Sequence, residues 1–289
     1  MRSPALAGLL LLAACLPTTA ATTTSIAAPA TTTTTVGAPT TVAITEPVLG
    51  CADASDFLES GQVVRIDQPS TDASILGLIS WDVTGGCERF RLDFETNEGA
   101  PATTPPSVAV EFLDSGQILR IHLDLDRTVL TDQLVETPLV DRLYVVRSLD
   151  GGLFVDLHLA GPSQARAEVR NSPSGLTVEL QMGIQPLTGA VTIADQVVVV
   201  EPSPGAETGT NFEVSGYART FEGTVVVIAN PAGVGTGGGN STQAADWAET
   251  WGEFQTTIEV LPGTYLVYVG EEGPDDPSIS GAIVEITAR

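Results

Sequence analysis

Short runs in which apolar and polar residues alternate, each closed by Gly, Pro, Asn or Asp, recur along residues 62–287. A period of two is what a strand with one buried face requires, because successive side chains leave the backbone on opposite sides of a sheet. The first group covers 62–66, 88–95, 107–112, 118–126, 142–147, 153–159, 165–170 and 176–182, with 75–83 reading as a further core strand that carries Trp81. The second group covers 197–201, 212–219, 224–230, 254–261, 265–269 and 283–287. Short strands at this spacing predict an all-β chain of two β-sandwich domains in tandem, 50–182 and 196–289, joined by a turn-rich linker at 183–195.

The N-terminal residues follow a different rule. Arg2 precedes an apolar stretch, 5–12, that is too short to cross a hydrocarbon core of about 30 Å. It ends in Leu12-Ala13-Ala14-Cys15, which resembles the lipobox of bacterial lipoproteins. The resemblance implies that residues 1–14 are a cleaved signal peptide and that Cys15 is acylated. The chain is then held on the extracytoplasmic side of the cell membrane. Residues 16–49 are dominated by Thr, Ala and Pro, with Thr31–Thr35 an unbroken run. Such a composition cannot start a core and predicts a disordered tether from Cys15 onward, with a mean span of roughly 30 Å and a stretched reach on the order of 110 Å. It also suits O-glycosylation.

Charge narrows the partners. The chain has 36 acidic residues against 12 basic ones, for a formal charge of −24, and every basic residue is an arginine. Nucleic acid is excluded as a partner, since phosphate backbones are bound by clustered Lys and Arg. The acidity is spread evenly, with 21 acidic residues and 9 arginines in 50–182 and 13 against 2 in 196–289.

Beyond the tether the only cysteines are Cys51 and Cys87. In an exported chain such a pair reads as a disulfide, worth roughly 3 to 4 kcal/mol in the chain-entropy account. The alternative, a nucleophilic or metal-binding pair, lacks a nearby second ligand, and His122 and His158 each sit alone within strand-like segments.

In the second group of strands, Pro262-Gly263-Thr264-Tyr265 lies where immunoglobulin-type sandwiches often keep a tyrosine whose hydroxyl pins the adjoining corner. Glu201-Pro202-Ser203-Pro204-Gly205, Phe212-Glu213-Val214-Ser215-Gly216-Tyr217-Ala218-Arg219 and Phe221-Glu222-Gly223-Thr224-Val225 resemble the immunoglobulin-like domain of bacterial spore germination proteins, which also occurs in many actinobacterial lipoproteins. The likeness extends through Gly252-Glu253-Phe254 and 279–286 and implies a non-catalytic envelope module. Residues 50–182 resemble the AMIN-like domain, a β-sandwich that targets related proteins to the periplasm or cell wall, on the strands at 87–94 and 152–159 and the closing hairpin at 165–180. Where that family commonly places Pro-Ser-Arg, this chain has Pro173-Ser174-Gly175.

Motifs of known chemistry are missing from the sequence: there is no Gly-x-Ser-x-Gly, no His-Glu-x-x-His and no Gly-x-x-x-x-Gly-Lys. Gly233, Gly235 and Gly238 satisfy Gly-x-Gly-x-x-Gly, but in a sandwich loop without the βαβ setting that a dinucleotide needs. His122, Asp124 and Asp126 read as the solvated face of a strand, and Glu271, Glu272, Asp275 and Asp276 as a solvated turn. No catalytic residue, metal or cofactor is expected. Trp247 and Trp251, in the polar stretch 237–253, are the candidate contact residues, since an indole offers a broad rigid face to a sugar ring or a protein. The expectation is a non-catalytic, membrane-anchored lipoprotein that binds or organises cell-wall components, with cell-wall glycan or another envelope protein as partner. An accessory subunit docked on another envelope protein and a glycan-acting enzyme using paired carboxylates are the alternatives.

Overall fold

Alternation becomes sheet where the computed structural model describes the chain, at residues 51, 55–69, 72–114, 116–233, 237–272 and 279–289. Cys15, the signal peptide and the tether lie outside the described residues, as do Gly235, Asp275 and Asp276. The first sandwich is built from β1 (Gln62–Ile66), β2 (Ile75–Thr84), β3 (Cys87–Glu95), β4 (Val108–Phe112), β5 (Ile118–Leu123), β6 (Arg127–Thr128), β7 (Asp132–Leu134), β8 (Val140–Arg147), β9 (Leu153–Leu159), β10 (Ser163–Arg170) and β11 (Gly175–Met182). One of its layers has the order β10-β11-β3-β2-β6; the other runs β1-β4-β5-β9-β8, with β7 also paired to β8. Leu76, Phe90, Leu92 and Phe94 from the first layer meet Val110, Ile121, Val145, Val155 and Leu157 from the second in one apolar core. Full burial of such side chains stabilises by roughly 1.5 to 3 kcal/mol each. Cys51 and Cys87 form a disulfide, and the Cys51 amide donates to Gln181 Oε1 at 3.0 Å. These contacts fix the start of the described fold to β3 and β11.

The second sandwich comprises β12 (Thr192–Ala194), β13 (Val197–Glu201), β14 (Ala206–Thr208), β15 (Asn211–Ala218), β16 (Thr224–Pro231), β17 (Gly238–Gln243), β18 (Trp251–Glu259), β19 (Gly263–Glu272) and β20 (Ile279–Ala288). Its outer layer has the order β14-β20-β19-β16-β17. Val199, Val214 and Phe254 pack against Val227, Val267 and Val284 across the core. The hydroxyl of Tyr265 donates to the Leu261 carbonyl at 2.9 Å, which is the corner expected at 262–265.

Two expectations need correcting. The linker at 183–195 includes β12, which pairs with β13 through Thr192↔Val199. The stretch 237–253 is not a single loop: Gly238–Gln243 form an edge strand on β16, from Thr224↔Gln243 to Ala229↔Gly238, and Trp251 opens β18. Edge pairing through backbone groups needs no apolar alternation, so GGNSTQ carries none.

The two sandwiches share a layer. Trp251↔Val146 and Gly252↔Arg147 pair β18 with β8 in parallel, making one continuous sheet of order β1-β4-β5-β9-β8-β18-β15-β13-β12. Gly252 is required at this seam, because a Cβ there would lie 2.1 Å from the Asp246 carbonyl oxygen. Near the seam the reverse face of the sheet is buried too. Leu143, Val145 and Val155 point into the first core, whereas Tyr144, Val146 and Phe154 point into a third cluster with Val198, Tyr217 and Trp251. All seven residues of β9 are accordingly buried.

Candidate functional site

Aromatic and titratable side chains come together in two places of interest, one closed and one open. The closed one is the seam. Tyr144, on β8, has its ring 5.0 Å from Trp251, 5.1 Å from Tyr217 and 5.0 Å from His158, centroid to centroid, so aromatic residues of both sandwiches meet, Trp251 edge to face and the other two tilted. Such pairs add about 0.5 to 1.5 kcal/mol each beyond area burial. His158 Nε2 is hydrogen-bonded to the Tyr217 hydroxyl. Burial lowers the His158 pKa to about 4, which keeps the imidazole neutral at neutral pH, and burial likewise raises the Tyr217 phenol well above its ordinary range.

Charged groups flank this cluster. Arg120 donates to both oxygens of the fully buried Asp156 at 2.8 Å and lies 3.9 Å over the Phe154 ring. Its guanidinium is also 3.8 Å from Glu253 of β18, and Glu253 accepts from Ser148 Oγ at 2.9 Å and the Leu149 amide at 3.0 Å. The Trp251 indole donates to Asp132 at 3.2 Å, and the Thr250 hydroxyl donates to the Val145 carbonyl at 2.6 Å. A buried ion pair of this geometry resists removal of either partner, since the survivor would be a charge without compensation. The seam therefore acts as a fastener between the sandwiches.

Trp251, a candidate contact residue by sequence, is 4 % exposed and belongs to this fastener. The correction has a plain cause: β18 begins at Trp251 and its pairing with β8 turns the indole onto Tyr144 and Tyr217. Trp247 is different. It is 43 % exposed, and its ring centroid lies 6.0 Å from that of Phe221, at an interplanar angle of 57°. Phe221 is 71 % exposed and sits in a short 3-10 turn, Phe221–Gly223, between β15 and β16.

The backbone under this open pair is clasped at several points. Asp246 Oδ1 accepts the amides of Trp247, Ala248 and Glu249 at 2.6, 2.9 and 3.2 Å, holding the turn that presents the indole. Glu271 Oε2 accepts the Phe221 amide at 2.9 Å, and the Ala244 amide donates to the Gly223 carbonyl at 2.8 Å. Gly223 adopts φ +71, a left-handed conformation that favours glycine, and a Cβ there would crowd Trp247 Cδ1 at 3.3 Å. Glu222 and Glu249 are exposed beside them. Glu271 also lines a cleft of about 370 Å³ with Asp195 and Gln196.

His122 Nε2 lies 3.1 Å from Glu111 Oε1 on the rim of a groove that also contains Asp67, Asp124, Asp150 and Glu253. Asp124 and Asp126 are exposed beyond the end of β5. Trp81 stacks on Phe90 at 6.2 Å, against the first core. Among the described residues, Cys51, Cys87 and Glu179 are the group of ligand type drawn within 4.8 Å of one another, and the disulfide takes both thiolates out of metal chemistry. Sequence reasoning passed over Phe221, Tyr144 and Tyr217. An aromatic side chain in a polar turn between strands was the available signal for Phe221, and the unbroken valine run 197–200 was the signal for a sheet buried on both faces.

Residues 196–278 match the family described as the immunoglobulin-like domain of bacterial spore germination. No curated protein and no solved structure matches the chain.

Proposed function

We propose that the chain is a non-catalytic, membrane-anchored lipoprotein that binds a component of the cell envelope and holds it near the membrane. The observation that carries this reading is the exposed Phe221–Trp247 pair, 6.0 Å apart and fixed by the Asp246 and Glu271 hydrogen bonds. An ordered pair of rings left in solvent is what a contact site needs, because its ordering is complete before binding. The Leu12-Ala13-Ala14-Cys15 run supports the anchor and the Thr-rich segment after it supports a tether. The AMIN-like assignment of the first sandwich is supported by β3, β9 and the β10–β11 hairpin, which occupy the segments that carry the resemblance.

A cell-wall polymer is the first target of such a site. Docking on another envelope protein is the second, and the carboxylates around the rings favour it. Fractionation of cells making the Cys15→Ser chain tests the anchor. We expect the protein to move from the detergent-soluble membrane to the aqueous fraction, with a mass lacking the acyl chains. Persistence in the membrane with an unchanged mass overturns the lipoprotein reading. Full chain incubated with isolated envelope should release no product, and turnover abolished by a single Asp or Glu substitution would establish the enzyme alternative instead.

A further inference from the structure

We infer that the exposed Phe221–Trp247 pair receives a basic side chain, arginine or lysine, from an extended segment of a partner protein. The inference rests on the docking reading above and names the chemistry of the occupant.

The geometry separates this ligand from a glycan. A pyranose stacks flat on a ring face, and a glycan chain is best met by rings that share a plane. Phe221 and Trp247, with centroids 6.0 Å apart, are inclined at 57°, so they offer two exposed faces at an angle instead of one flat platform. An ammonium or guanidinium placed on either exposed face lies where the ring quadrupole attracts a cation. Its aliphatic stem covers the apolar surface that Phe221, 71 % exposed, leaves open.

Charge points the same way. The segments that carry the rings also carry Glu222, Asp246 and Glu249, and Glu271 is bonded to the Phe221 amide. Asp195 and Glu271 line the neighbouring cleft of about 370 Å³, among whose lining residues there is no arginine. Arg219 is the cation nearest in sequence, two residues before Phe221. Residues 196–289 hold 13 acidic side chains and 2 arginines. A neutral sugar would leave these carboxylates without a counter-charge, whereas a basic segment places positive charge within a Debye length of several of them and is steered toward the site.

The test uses the full chain in detergent micelles and a fluorescent peptide of alternating Arg and Gly, ten residues long. An alternating Glu and Gly peptide, a tetramer of N-acetylglucosamine and the chain alone serve as comparisons. The expected result is saturable binding of the Arg peptide, with quenching of indole emission, and no binding of the Glu peptide or the sugar. Phe221→Ala and Trp247→Ala should each weaken the Arg peptide at least tenfold. The double variant Glu222→Gln with Glu249→Gln should weaken it several-fold and flatten its salt dependence. A control double variant, Glu259→Gln with Glu285→Gln, removes equal charge at the far ends of β18 and β20 and should leave binding unchanged. Equal loss in the control, or full binding by the aromatic variants, reduces the effect to general charge and overturns the inference. Binding of the sugar alone, or association of the chain with itself through the rings, overturns it as well. If the aromatic variants lose retention on isolated envelope while no variant changes peptide binding, the envelope reading stands and the basic ligand is wrong.

Discussion

Trp247 and Trp251 share one short segment and have opposite environments. Trp251 is held by Tyr144, Tyr217 and Asp132 in a cluster that belongs to both sandwiches. Trp247 touches Phe221 and stays 43 % exposed. Neither residue type nor hydropathy separates them. What separates them is the point at which β18 starts: the Gly252 backbone passes against Asp246, β18 joins β8 through Trp251 and Gly252, and the first residues of the strand, Trp251 and Glu253, face the seam. The lesson is that in a sheet shared by two domains an aromatic residue is assigned to cohesion or to contact by strand register.

The comparison breaks most readily on stability. Trp251→Ala should cost about 3 to 5 kcal/mol in urea unfolding, the scale for an aromatic side chain removed from a filled core. Trp247→Ala should stay within about 0.5 kcal/mol of the parent, as surface replacements do. Similar losses for the two would mean that the rings do not divide as described.

A pH series sharpens the closed side of the comparison. His158 has a folded pKa of about 4, below the ordinary value near 6.5, so the unfolded chain takes up the proton first. Stability from this group is complete above pH 6.5 and is lost as the pH falls toward 4, by about 3 kcal/mol in all. His158→Gln keeps a neutral hydrogen-bonding group beside Tyr217, and its stability should fall less steeply over that window. Identical pH profiles for the parent and the variant would contradict a buried neutral imidazole. Within the closed cluster, Tyr217→Phe should have the smallest effect, about 1 to 2 kcal/mol, because it leaves His158 Nε2 buried without its partner.

Much of the fold was legible in the sequence. Alternation located β1, β9 and β13 with the bounds now seen, and the two-sandwich division follows from the turn-rich break before 196. The cysteine pair was legible because Cys51 and Cys87 are the only cysteines after residue 15, and the disulfide joins them. The seam was harder to read. Its residues come from β8, β9, β13, β15 and β18, and local patterning reports which side of a strand is apolar without saying what covers it. Leu153–Leu159 reads as a half-buried strand although both faces are covered, because Asp156 and His158 look solvent-facing until Arg120 and Tyr217 are brought to them. The candidate site was half legible: Trp247 stands out in the sequence as an indole in a polar stretch, whereas its neighbour Phe221 arrives from the turn before β16 and is joined to it only by the folded chain.

The central claim is that the rings of Phe221 and Trp247 are kept ordered and open for contact. It is tested most directly by measuring retention of the full-length Trp247→Ala protein on isolated cell envelope alongside its urea midpoint. The account predicts a loss of about tenfold in retention, roughly 1.4 kcal/mol, with the midpoint unchanged. Parental retention, or a loss that tracks a lowered midpoint, would contradict it.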